Sequence, residues 1–88
     1  MKVYVVVDTY YECSEVEVRT FESKKDAQDY VVHAYIEDNE YWSNDITKED
    51  VDKFRADLEE DGYVHIDSTV DYSVYETILQ FEKGEDKG

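Results

Sequence analysis

Carboxylates are the reactive groups this chain holds in excess, and they crowd into one stretch. Residues 37–62 read EDNEYWSNDITKEDVDKFRADLEEDG. Glu37, Asp38, Glu40, Asp45, Glu49, Asp50, Asp52, Asp57, Glu59, Glu60 and Asp61 stand there against Lys48, Lys53 and Arg55, with Tyr41 and Trp42 among the charges. Eleven acids against three bases give a net −8, about half of the chain's −15. Such a crowd has three conceivable uses: holding a metal ion, acid–base hydrolysis, or showing negative charge to a cationic partner.

The metal use fails on spacing. Read from Asp38, a twelve-residue calcium loop places carboxylates at positions one, three and twelve (Asp38, Glu40, Glu49). It also needs an oxygen ligand at five and glycine at six, where this chain has Trp42 and Ser43. His33 and His65 are far apart and lack cysteine or carboxylate partners at zinc spacing, so they read as surface or sheet-face histidines. Hydrolysis by paired carboxylates draws no support from spacing, because so many pairs exist. Glycoside hydrolysis needs a substrate cleft, and two short helices on a sheet are expected to leave little room for one. Cys13 lies between Glu12 and Ser14, where negative surroundings oppose a thiolate nucleophile. No glycine-rich phosphate loop is present. The chain therefore reads as a non-enzyme without metal or cofactor.

Size and composition set the frame for the third use. A chain of 88 residues makes one domain with a thin core. A hydrophobic share of 41 % and an aromatic share of 15 %, with nine tyrosines, are too rich for a disordered acidic tail. Proline is absent and glycine scarce, which argues against flexible or polyproline linkers. No apolar run approaches the ~20 residues of a membrane span, and the five-residue run after Lys2 is too short for a signal-peptide core. One cysteine forms no internal disulfide, and a reducing, cytoplasmic compartment is the expectation. A net −15 destabilises a compact state by self-repulsion and exceeds the magnitude of about 2–8 that solubility asks for. Direct nucleic-acid binding fails on sign, since it rests on Lys and Arg neutralising phosphates. Membrane partners are not expected.

The elements that must hold these charges follow from periodicity. Residues 3–7 (VYVVV) are apolar on both faces, as in a central strand. Residues 8–14 (DTYYECS) read as a hairpin loop. Residues 15–21 (EVEVRTF) alternate, which predicts Val16, Val18 and Thr20 inward and Glu15, Glu17 and Arg19 toward water, in an antiparallel hairpin with 3–7. Ser23 and Asp26 mark a helix start. Ala27, Tyr30, Val31 and Ala34 recur at helical spacing over 24–37, and 39–44 is a loop. Thr47 and Asp50 repeat the start signal for a helix over 48–60, with Val51, Phe54 and Leu58 inward and Gly62 as its stop. Strands are expected at 63–70 and 74–81, with a turn at Asp71, Tyr72 and Ser73. Tyr4, Tyr30 and Tyr75 are expected in the core, and the tyrosines and Trp42 of the loops at an interface. The result is a single α+β domain over 1–83: an antiparallel sheet of about four strands, ordered ββααββ, with two helices on one face and a polar tail at 84–88.

On such a scaffold the acidic stretch can imitate a polynucleotide. Helix turns rise about 5.4 Å, and duplex DNA shows phosphates about every 3.4 Å per strand. Fixed carboxylates on a rigid helix approximate that row, and an Arg-rich groove would bind them bidentately. Like charges three and four apart cost helix stability, yet this helix keeps Asp57 with Asp61 and Glu49 with Asp52. In size, charge, tyrosine content and element order the whole chain resembles the small acidic phage-encoded anti-CRISPR and anti-restriction DNA mimics. It carries no diagnostic motif of that class. The resemblance implies an inhibitor, monomeric or a small homo-oligomer, that blocks a basic nucleic-acid-binding site of a bacterial defence nuclease complex. On this reading Tyr41, Trp42 and the eleven carboxylates make the contact. The alternative is a small acidic adaptor or structural protein that binds its partner through an exposed strand edge.

Overall fold

The structure, a computed structural model, describes residues 2–66 and 69–78. Its elements run β1 (Lys2–Tyr10), β2 (Glu15–Phe21), α1 (Lys24–Tyr41), α2 (Lys48–Asp61), β3 (Tyr63–Ile66) and β4 (Val70–Ile78). The strands form one antiparallel sheet in the order β2-β1-β4-β3. The expected α+β class, four-strand sheet and ββααββ order hold.

Both helix starts use the side chains expected of them. Ser23 Oγ accepts from the Asp26 amide at 3.3 Å. Thr47 and Asp50 close a full reciprocal cap: Thr47 Oγ1 accepts from the Asp50 amide at 3.1 Å, and the Thr47 amide donates to Asp50 Oδ2 at 2.9 Å. Gly62 ends α2 in the left-handed region at φ 80°, where a side chain would be strained. α1 runs one turn beyond the expected end. Asn39 is buried there, and its Nδ2 donates to the Tyr35 carbonyl at 2.8 Å, binding the last turn to the helix body.

Even-numbered residues of β1 and β4 point at the helices. Val6, Val70 and Tyr72 meet Ala27, Val31 and Val32 of α1 and Phe54 and Leu58 of α2 in one buried cluster. Tyr35 stacks on Phe54 with centroids 4.1 Å apart, and Tyr72 presents its edge to both rings. Tyr72 is therefore not in a turn. It is fully buried in β4, which already begins at Val70. The core role expected for Tyr4 and Tyr30 holds in part, since both are half-buried, but Tyr75 is 57 % exposed. Likewise β1 extends through Tyr10, so Asp8 is not a loop residue. Leu79, Phe81 and the expected tail lie outside the described residues.

The alternation of β2 faces opposite to expectation. Its register sets Val18 beside Val7 and Val16 beside Thr9, while Glu17 lies beside Asp8 and Glu15 beside Tyr10. Glu15, Glu17 and Arg19 thus lie on the helix side, and Val16 and Val18, 58 % and 56 % exposed, lie on the side that neither α1 nor α2 covers. The helices sit chiefly over β1, β4 and β3, so charges on the helix side of edge strand β2 still reach water. Alternation tells which residues share a face; it does not tell which face is covered.

Candidate partner-binding surface

The residues expected to meet a partner fall into three groups. Glu40, Asp45, Glu49, Glu60 and Asp61 are exposed and have no cation within 4.0 Å among the described residues. Tyr41, at the end of α1 rather than in a loop, is 86 % exposed beside them.

A second group is already paired within the molecule. Asp52 meets Lys48 and Asp57 meets Lys53, each at 2.9 Å and one helical turn apart, and Glu37 meets His33 at 3.0 Å. Glu59 accepts from Gln28 at 2.8 Å and lies 3.5 Å from Lys24. The Gln28 amide and then the Lys24 charge hold the Glu59 carboxyl below the usual range. These exposed pairs contribute little stability, but they leave less charge for a partner than the bare sequence suggests.

The third group builds the fold. Asp50 caps α2. Trp42 is half-buried against the core. Asp38 Oδ2 accepts from both Tyr10 and Tyr72 hydroxyls, at 2.8 and 2.6 Å. Burial, followed by the bond to Asp38, pushes both phenols far up. Asp38 is thus first a clamp between α1 and the two central strands.

Beneath Asp38 lies Asp8, fully buried with both carboxylate oxygens unbonded. Burial, then the charges of Glu17 and Asp38, raise its pKa from 3.8 to about 7. The strand-forming run Thr9, Tyr10 and Tyr11 after it was the available sign that Asp8 sits in a strand and not a loop.

Beside this group opens a cleft of about 370 Å³, larger than two short helices led us to expect. Glu12, Glu15, Glu17 and Asp38 line it together with Tyr10, Tyr41 and Trp42, and no basic residue does among the described residues. Three of these acids lie far from the acidic stretch in sequence; hairpin pairing of β1 with β2 brings them to the end of α1. Carboxylates beside aromatic faces suit an ammonium or guanidinium group, through charge-assisted hydrogen bonds and cation–π contact. Asp8, whose carboxyl is raised toward neutrality, is shut away from solvent.

Among the described residues no group of three or more His, Cys, Asp or Glu side chains is placed to hold a metal ion. His33 is exposed on α1, and His65 meets Asp71 on the open sheet face. Cys13 is exposed in the β1–β2 turn, 3.7 Å from Glu15. No helix among the described residues is long and apolar enough to cross a membrane. Comparison with protein-family models, with curated proteins and with solved structures finds no match for this chain.

Proposed function

We propose that the chain is a non-enzymatic inhibitor that shows an acidic, nucleic-acid-like surface to a basic nucleic-acid-binding site, as of a bacterial defence nuclease complex in the cytoplasm. The observation that carries this reading is where the charge sits. Of the described strand residues on the open sheet face, Asp71 alone is acidic. The other acids among the described residues gather on the helix layer and around the cleft.

Placement also costs stability. Neither helix has a basic residue in its last turn; Glu40, Glu60 and Asp61 crowd the negative dipole ends instead. Each such charge costs roughly 0.3–1 kcal/mol at low ionic strength. A fold indifferent to this surface would gain by losing them. In the proposed complex Glu40, Asp45, Glu49, Glu60 and Asp61 stand in for phosphates, Asp52, Asp57 and Glu59 contribute once their lysines are displaced, and the cleft beside Tyr41 and Trp42 receives one cationic side chain.

A tagged chain used as bait in bacterial lysate, eluted with a salt gradient, tests the reading. Nucleic-acid-binding proteins should come off steeply with salt, and the triple variant Glu40→Lys, Asp45→Lys, Glu49→Lys should bind them at least about tenfold more weakly. Retention that ignores salt, or a triple variant that binds as well as wild type, refutes it. Salt-independent retention supports the second reading, strand addition to β2, whose seven residues form an open sheet edge.

A further inference from the structure

We infer that the open face of the sheet is the contact surface of a homodimer, two copies packing sheet against sheet with their helix layers outward. Register fixes the composition of this face. Val18, Val7, Ser73 and Tyr63 form one cross-strand row, and Thr20, Val5 and Tyr75 the next. Val16, Val18, Tyr63 and Tyr75, most of the large exposed apolar side chains of the described residues, lie here, each more than half exposed. Asp71 is already occupied, by the Tyr11 hydroxyl and the His65 ring. These side chains alternate with Thr9, Thr20, Ser73, Thr77 and His65, and the face is nearly uncharged among the described residues, on a chain whose net charge is −15; exposed apolar side chains gathered on an uncharged surface mark an interaction site.

Charge selects the occupant. A basic or nucleic-acid-like partner has nothing to pair with here, and a basic one is drawn to the helix layer instead. A second copy meets the least like charge on this side. Stacked sheets lie about 10 Å apart, and each helix layer adds about 10 Å. The two acidic outer surfaces are then roughly 30 Å apart, several times the ~8 Å Debye length at physiological salt.

The area is of the order a small interface needs. At ~3.3 Å per residue and ~4.8 Å between strands, the four strands project about 460 Å². Two faces come to about 900 Å², close to the ~1,000 Å² that a specific interface clears. Twisted sheets pack face to face in this way with strands about 30° apart, and a two-fold axis makes the contact self-complementary.

Sedimentation velocity on the full chain at about 100 μM tests the inference, since a Kd in the micromolar range would leave it mostly dimeric there. The dimer should persist or tighten as salt rises. Val18→Lys and, independently, Tyr75→Lys should weaken association at least tenfold, although each lowers the net negative charge. Glu49→Lys also lowers the negative charge, on the helix layer, and should leave the dimer intact; circular dichroism confirms that each variant is folded. A monomeric wild type, or equal association by Val18→Lys, Tyr75→Lys and Glu49→Lys, overturns it. Neither outcome bears on the salt-dependent binding proposed for the helix layer.

Discussion

Asp8 makes the stability of this protein fall as pH rises, and replacing it by asparagine should remove that fall. Unfolded, the carboxyl loses its proton near 3.8; folded, near 7. Well below pH 3.8 both states are protonated and ionisation costs nothing. Between the two values the folded state alone keeps the proton, so each rise in pH favours unfolding. Above pH 7 the penalty is complete, at roughly 4 kcal/mol. Against the ~5–15 kcal/mol that holds a small domain together, that is a large fraction. The penalty grows by roughly 2–3 kcal/mol from about pH 5 to about pH 8. An asparagine side chain in its place does not ionise, and its amide can donate to the Glu17 or Asp38 carboxylate nearby. Urea unfolding followed by circular dichroism should therefore show the midpoint of Asp8→Asn gaining on wild type by roughly 1–3 M between those pH values. General charge repulsion acts on both proteins and cancels in the comparison. If the gap between them is the same at both pH values, Asp8 ionises as an ordinary carboxyl and its burial without partners is wrong.

Two further substitutions probe the scaffold. Tyr72→Phe keeps the buried ring but removes the hydroxyl that reaches Asp38 at 2.6 Å; a bond to a charged acceptor predicts a loss of about 1.5–3 kcal/mol, and a melting temperature unchanged within error would show the clamp to be idle. Gly62→Ala forces a β-carbon into a left-handed position at φ 80°, although the nearest atom, the Val74 carbonyl oxygen, is an unobjectionable 3.6 Å away. The conformation alone should cost about 1–2 kcal/mol, a fall of roughly 4–16 °C in melting temperature, and no fall would mean that α2 ends differently.

Local physics was legible in the chain by itself. The caps at Ser23 and Thr47, the stop at Gly62, the stripe of Phe54 and Leu58 and the β1–β2 hairpin all follow from contacts a few residues apart, and the element order with them. The total charge and its crowding into residues 37–61 are facts of composition. What tertiary structure decided depends on contacts between distant segments. Only the choice of which sheet face the helices cover turned Val16 and Val18 outward. The full length of β1 and β4 buried Asp8 and Tyr72, because a central strand gains two neighbours that no local pattern announces. The pairing of α2's lysines with Asp52 and Asp57 was available from their spacing; the meeting of Glu12, Glu15 and Glu17 with Asp38, Tyr41 and Trp42 was not. Residue order alone determines which side chains share a strand face or a helix stripe, since those periods are set by the backbone. Which of those faces meet is settled by the burial of the whole, and so it was the fold that divided this molecule into a charged side and a bare one.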